Sequence, residues 1–582
     1  MPLVQLPSNN IRPQSSRSEV ATFSRPLAFY VVVVLIGLIF TFRLFYLQVV
    51  RGDHYRQQAL AEHQKKFEIP AKRGIIYAHD GDRLVPLVLN ETRKLIYADP
   101  RYVKDKSKTA QTLKDIIGGE AGEYEKLLNG NHVYVILARD VTLDQADKLA
   151  QKKLPGVGQT DTPKRVYPQG QLASQVLGFV NGSGQGQYGV EDFFNKELQG
   201  KTGQLKAVTD INGVPLAAGD SSIQQAPKDG ENVNLTIDLN LQRYLETALK
   251  SATETTKAKG ASAVILDTKD GSIKAMGNYP SFDPAKYSEV KDYNVFSNRI
   301  VSTPYEAGSV MKVFTMSTAL NEGVVSKDST FADSGSVKVE DRTVKNSRAW
   351  GIANPTMTQV LQYSLNTGVV HLFKQLGGGS FNKQGREKLH DYLVDKYRFN
   401  ATTGIELAGE AGGDIPDATT NDGDNVRYAN ISFGQGMTVT MLQVVAGLNA
   451  VINGGTYYKP AIQEKNVGQT IAKNIVKPEV GADLRDMMRS VIKGSAFDKP
   501  GYYVGGKSGT AQLLDANGNY TDDKTTGSYL GFIGSKQADY VIMVRVDEPD
   551  SSQGFSGTTA AAPLFSSICG YLIQYYAMAP AS

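Results

Sequence analysis

Between Tyr305 and Leu320 the chain reads YEAGSVMKVFTMSTAL, and in it Ser309 precedes Lys312 by three positions. Residues three apart are neighbours on a helix, so this spacing sets a hydroxyl beside an amine and lets the two exchange a proton. Gly308, followed by the apolar Val310, Met311, Val313, Phe314 and Met316, predicts a turn feeding a buried helix with Ser309 in its first turn. There the helix dipole favours a nucleophile. The spacing by itself selects nothing. At average residue usage Ser-x-x-Lys arises by chance about twice in a chain of this length, and it occurs four times here, at Ser288, Ser309, Ser380 and Ser490. A serine and a lysine so placed on a helix are most often a solvated surface pair.

Two later stretches separate the four. LQYSLNTGVVHLF carries Ser364-Leu365-Asn366, and YYVGGKSGTAQLL carries Lys507-Ser508-Gly509-Thr510. Only Ser309 stands upstream of both within an apolar helix. Taken singly, Ser364, Asn366 and Thr510 read as ordinary caps or strand residues. Taken together, the residues supply what acyl transfer to a peptide amine needs. Ser309 would be the nucleophile, and Lys312 the base if burial and the neighbouring cation Lys507 lower its pKa. Ser364 would relay the proton and Asn366 would hold a substrate amide. Lys507 offers a fixed positive charge, Ser508 and Thr510 hydrogen-bond a terminal carboxylate, and Gly509 lets the strand backbone approach the substrate.

The chain that must position them has 582 residues, 41% hydrophobic and 21% charged, enough globular material for two or more domains. A net charge of +4 over that length points to no polyanionic partner such as nucleic acid. The single cysteine, Cys569, excludes an intrachain disulfide and Cys-x-x-Cys chemistry, and the six histidines form no His-Glu-x-x-His. No metal or cofactor is expected. Leu27 to Val50, LAFYVVVVLIGLIFTFRLFYLQVV, is long and apolar enough to cross a bilayer, with Arg43 late enough to reach the interface. No small-x-small cleavage site follows, so it reads as an uncleaved signal anchor. Arginines precede the span, and Arg51, Arg56, Lys65 and Lys66 follow it, so charge leaves its orientation open.

Residues 1–25 are polar, with Pro and Ser, and read as a short disordered tail. After the span, GDHYRQQALAEHQKKFE predicts a helix leaving the membrane. HVYVILA predicts a strand and TLDQADKLAQKK a helix capped by Thr142. From ENVNLTIDLNLQRYLETALKSATE onward the pattern becomes strands and long apolar helices, which sets a domain boundary near Gly230. Two stretches imitate ligand motifs. Gly184-x-Gly186-x-x-Gly189, with Asp210 downstream, formally meets the dinucleotide fingerprint, but its strand and helix are both short. DANGNYTDDKTT starts like a calcium loop, yet Tyr520 stands where glycine is needed and Thr526 where glutamate is needed. It predicts a hairpin tip.

The ordered triple Ser309-x-x-Lys312, Ser364-x-Asn366 and Lys507-Ser508-Gly509 resembles the signatures of serine acyl-transferases of the penicillin-binding protein family. RGIIYAHDG from Arg73, RVYPQGQLASQVLGFV from Arg165, YGVEDFFNKELQGKTG from Tyr188, LTIDLNLQ from Leu235, TGIELAGEAGG from Thr403, FGQGMTVTMLQ from Phe433 and SYLGFIG from Ser528 are similar to class B members over most of the chain. The resemblance implies an α+β multidomain protein. Its parts would be a short cytoplasmic tail (1–25), a single transmembrane signal anchor (26–50), an elongated α/β pedestal of the class B dimerisation type (51–229), and a transpeptidase domain (230–582). That last domain would have a β-lactamase-like antiparallel sheet with helices on both faces.

The resemblance further implies an oxyanion hole made by the backbone amides of Ser309 and Thr510. The expected activity is that of a monofunctional peptidoglycan D,D-transpeptidase. Ser309 attacks the penultimate D-Ala carbonyl of a stem peptide ending in D-Ala-D-Ala, the terminal D-Ala leaves, and an amine of a neighbouring stem resolves the acyl-enzyme. β-Lactams would acylate the same serine. Because peptidoglycan lies outside the cytoplasmic membrane, the catalytic domain is expected to be extracytoplasmic, and a polytopic membrane glycan polymerase is the expected protein partner. Asparagine at position 366 and a compact pedestal favour the division type over the elongation type. A β-lactam-hydrolysing or sensing relative and a non-catalytic scaffold are the alternatives; with a fluorescent penicillin, durable labelling supports the transpeptidase, fast turnover a β-lactamase and no labelling the scaffold. Two departures stand out. Ala307-Gly308 replaces the usual Pro-Gly, which would loosen the turn into the nucleophile helix, and Ala78-His79 replaces an Asp-Arg pair, which puts the pedestal's ion pairing in question.

Overall fold

The computed structural model of the protein describes residues 25–55, 64–69, 71–130, 132, 134–208, 223–420, 424–514, 520–550, 552 and 556–580. Asp210, most of the expected tail and the core of the calcium-like stretch, residues 515–519, lie outside these. The chain divides into two compact units, one within Met1–Ile69 and Thr202–Pro227, the other within Pro70–Lys201 and Lys228–Ser582.

In the first unit, the helix Pro26–Val50 is long and apolar enough to cross a membrane, and none of it is buried by the described residues. The stretch read as a helix after the span ends otherwise: Gln64–Ile69 is a strand, paired antiparallel with Gly203–Val208, and Ile223–Gln225 completes a three-stranded sheet. Backbone pairing with a segment remote in sequence overrides the helical preference of Gln, Lys and Glu here.

In the second unit, the long strand Arg83–Ala98 pairs antiparallel with Ile76–Asp80, Val135–Val141 and Val157–Val166. Val233–Asp238 joins beside Ile76–Asp80 in parallel, so the strand just past Gly230 hydrogen-bonds to the pedestal sheet. The strand read from HVYVILA begins only at Val135 and runs on to Val141, and Thr142 forms a capping box with Gln145 at the start of the helix Leu143–Gln151. The glycine run is a small hairpin, Phe179–Val180 with Gly186–Gln187, leading into the five-residue helix Gly189–Phe193.

Ion pairing in this region survives the Ala78-His79 departure because it is built elsewhere. Arg73 and Arg165 both grip the Glu191 carboxylate, at 2.6 and 2.7 Å, with all three side chains buried. His79 meets Glu464 at 2.6 Å.

The catalytic sheet is five-stranded and wholly antiparallel, in the order Ile273–Tyr279, Gly260–Asp267, Tyr540–Asp547, Tyr520–Gly534, Tyr503–Leu514. Alternation along its strands feeds two cores. Val264, Leu266, Val541 and Met543 face one core with the helices Lys312–Asn321 and Met441–Ile452. Ala263, Ile265, Ile542 and Val544 face the other with Leu239–Thr256 and Ala562–Tyr575. Period-two side chains on a sheet buried on both faces account for this arrangement, and Tyr503–Leu514, bearing Lys507, is left as an edge.

Candidate active site

Ser309 lies in a short 3₁₀ turn, Gly308–Met311, that runs directly into the α-helix Lys312–Asn321. In 3₁₀ geometry residues three apart eclipse, which reinforces the Ser309–Lys312 alignment read from the spacing. The helix is buried along nearly its whole length and draws Lys312 with it, leaving that lysine 1% exposed. Ser309 itself is half-buried.

The second motif supplies what the buried amine needs. Lys312 Nζ donates to the Ser364 carbonyl at 2.6 Å, to Ser364 Oγ at 3.1 Å and to Asn366 Oδ1 at 2.7 Å. Ser364 presents both its oxygens because its backbone is left-handed, φ 55°, between the helices Met357–Gln362 and Asn366–Leu376. A serine in that region is strained and persists only where its surroundings fix it. Asn366 in turn donates through Nδ2 to the Lys345 carbonyl at 2.9 Å. Burial and the charge of Lys507 push the Lys312 pKa well below its ordinary value. Lys507, also 1% exposed, donates to the Ser508 carbonyl at 2.9 Å, and burial lowers its pKa to about 7. Thr510 Oγ1 accepts from the Gly557 amide at 3.0 Å, which leaves its hydroxyl hydrogen available to a substrate. All the predicted residues therefore share one region, brought there by helix, loop and edge strand. The other three serines do not. Ser490 Oγ is spent on the Asp486 carbonyl of its own helix at 3.0 Å, Ser380 Oγ on the Gly377 carbonyl, and Ser288 sits in the 3₁₀ helix Pro284–Glu289.

Glycine packing joins the nucleophile turn to the strand. A side chain at Gly509 would stand 2.7 Å from the Ala307 carbonyl oxygen, and one at Gly308 would stand 2.7 Å from that of Thr510. Gly509 thus admits the turn that carries Ser309. Gly308 also has φ 61° and donates to the Gly434 carbonyl at 3.1 Å, so the turn is held firmly despite alanine at 307. Neighbouring ties repeat the pattern. Tyr305 and Val439 exchange both backbone hydrogen bonds, and Glu306 accepts from the Gly436 amide at 2.8 Å. Gly308→Ala is expected to cost about 1–3 kcal/mol and to slow penicillin acylation about tenfold by displacing Ser309. Thermal melts together with stopped-flow acylation check both.

Glu306, Gly434, Gly436 and Gly557 were not singled out from the sequence as parts of the site. The one signal was the Gly-x-Gly in FGQGMTVTMLQ, whose contact with Gly308 is remote along the chain.

With the geometry in view, comparisons with known proteins agree on one family. The model described as "Penicillin binding protein transpeptidase domain" matches residues 261–570, and that described as "Penicillin-binding Protein dimerisation domain" matches residues 68–235. Stage V sporulation protein D of Bacillus subtilis (strain 168) is 31% identical over 565 residues, covering 94% of this chain and 84% of that protein. Peptidoglycan D,D-transpeptidase FtsI of Escherichia coli (strain K12) is 28% identical over 556 residues, covering 93% and 90%. The crystal structure of Penicillin Binding Protein 2X from Streptococcus thermophilus, at 26% identity, matches with a TM-score of 0.70 over 88% of this chain and 80% of that one.

The chain belongs to the penicillin-binding protein transpeptidase family, in its class B, with a dimerisation domain ahead of the transpeptidase domain. It is a peptidoglycan D,D-transpeptidase, a serine acyl-transferase of a family that acts on peptidoglycan and binds β-lactams.

Proposed function

We propose that Ser309 is the acylated nucleophile, Lys312 its general base, Ser364 the proton relay, and Lys507 with Ser508 and Thr510 the anchor for the substrate's terminal carboxylate. The reading rests on one observation above the others: a buried lysine, one helical turn from Ser309, whose hydrogen bonds all go to the Ser364–Asn366 motif. Lys312 takes the Ser309 hydroxyl proton as Oγ bonds to the penultimate D-Ala carbonyl carbon. Ser364 passes a proton to the departing D-Ala amine as the C–N bond breaks. Backbone amides of Ser309 and Thr510 receive the developing oxyanion, and an acceptor amine of a second stem peptide then releases the acyl group. Incubating the full-length protein with a stem peptide ending in D-Ala-D-Ala tests this. D-Ala release with an acyl adduct mapped to the Ser309 peptide is expected, and an adduct on any other residue would overturn it.

Asparagine at 366 has a chemical consequence. It accepts from Lys312 and donates to Lys345, whereas aspartate would leave the Lys345 carbonyl without that donor and place a negative charge against the amine. Asn366→Asp is therefore expected to raise the Lys312 pKa and to move the rising limb of the acylation pH profile to higher pH. The profile measured with benzylpenicillin checks it.

Membrane topology and cellular role follow from the same reading. The helix Pro26–Val50 anchors the protein in the cytoplasmic membrane with the catalytic domain outside, where a polytopic glycan polymerase supplies strands to cross-link. Asparagine 366 and likeness to a transpeptidase of the FtsI type support work at the division septum. Depleting the protein should give filaments with unfinished septa; rounded cells that still divide would refute the septal role.

A further inference from the structure

We propose that the pedestal carries an oxyanion-binding site, distinct from the Ser309 centre, in a cavity of 440 Å³ bordered by Arg139, Lys164, Arg165 and the Asn181–Gly184 turn. Charge is the first reason. Two guanidinium groups, Arg73 and Arg165, share the single carboxylate of Glu191, and the three side chains are 8%, 5% and 0% exposed. The cluster therefore holds one uncompensated positive charge out of water, a costly state unless an anion balances it. Hydrogen bonding is the second. Arg165 spends Nε on Glu191 and Nη1 on Asn90 at 2.9 Å, while its Nη2 is buried with no partner among the described residues. Asp140 is the one carboxylate among the described residues bordering the cavity, and Lys164 already holds it at 3.1 Å.

The third reason is the glycine turn that imitated a nucleotide fingerprint. Positions where side chains would stand at Gly182 and Gly184 meet nothing within 4 Å, and Gly184 has φ 78°. The turn keeps side chains off that wall and so adds room beside the cations, while its Ser183, Gly184 and Gln185 amides are already held by Asn181. Leu95, Pro163 and Tyr287 add apolar wall. A carboxylate or a phosphate on a small, otherwise uncharged body fits this lining, since guanidinium groups pair with either and the volume suits a small molecule. Pro284 and Tyr287 come from the segment matching the transpeptidase model, and the cationic wall comes from the segment matching the dimerisation model. A bound anion therefore bridges both.

The test titrates the full-length protein in detergent with sodium phosphate and, separately, sodium acetate, at ionic strength held constant with sodium chloride. A saturable rise in melting temperature is expected. A rise with phosphate alone assigns a phosphoryl ligand, a rise with acetate alone a carboxylate ligand, and a rise with both a site for either. Arg139→Ala with Lys164→Ala, near the surface and tolerable to the fold, should weaken binding about tenfold per cation removed. Lys108→Ala with Lys126→Ala should leave binding unchanged. Arg165→Gln balances the buried cluster and should abolish saturation. No response beyond chloride in the parent protein, equal losses in the two double variants, or full binding by Arg165→Gln would overturn the proposal.

Discussion

Replacing Ser309 with alanine is expected to abolish covalent labelling of the full-length protein by a fluorescent penicillin, while Ser380→Ala and Ser490→Ala label as the parent does. The contrast follows from where the four Ser-x-x-Lys hydroxyls go. Ser380 and Ser490 give theirs to nearby backbone carbonyls. Ser309 alone stands a turn from a fully buried amine whose pKa is lowered by burial and by the charge of a second lysine. Removing one half-buried hydroxyl should change stability by under about 1 kcal/mol, so loss of label would report chemistry and not unfolding. Labelling that persists in Ser309→Ala and disappears in either control would sink the assignment.

The site was legible to the extent that its chemistry sits in short contiguous motifs. Ser309 with Lys312, Ser364 with Asn366, and Lys507 to Thr510 each place two or more functional groups within four residues, so a local pattern carries them. The apolar run around Lys312 likewise announced that this lysine would be buried. What joins the motifs was not legible. The reciprocal fit of Gly308 against Thr510 and Gly509 against Ala307 depends on two backbones meeting from distant parts of the chain, and a lone glycine has no chemistry to announce. The left-handed turn at Ser364 was hidden for the same reason, because nothing about serine predicts φ 55°. In the fold, Thr142 and the helix after it were readable from local capping, whereas Gln64–Ile69 misled because pairing with Gly203–Val208 is set by tertiary structure.

Lys507→Ala is expected to slow acylation by a carboxylate-bearing penicillin by about a hundredfold or more, and acylation by the corresponding ester far less. Two effects separate here. Lys507 is buried and donates to the adjacent Ser508 carbonyl, and in the proposed role its charge anchors a carboxylate that an ester lacks. The same charge also lowers the Lys312 pKa, a benefit that carboxylate and ester substrates share. Its removal should therefore shift the rising limb of both profiles to higher pH but weaken only the carboxylate substrate through lost anchoring.

In the parent protein the two lysines have opposite requirements. In the proposed mechanism Lys312 acts as a base when neutral, so acylation is expected to rise with pH through its depressed pKa. Lys507 in its proposed role anchors when charged, so acylation of the carboxylate substrate is expected to fall as pH rises through about 7. Burial lowers both pKa values, and the charge of Lys507 lowers that of Lys312 further; the proposed mechanism requires Lys312 to lose its proton first, and the pH profile tests that order. Stopped-flow acylation from pH 5 to 10 should give a bell-shaped profile for the penicillin and a profile without the falling limb for its ester. Equal losses for both substrates in Lys507→Ala, or identical falling limbs in the parent, would show that the charge anchors nothing.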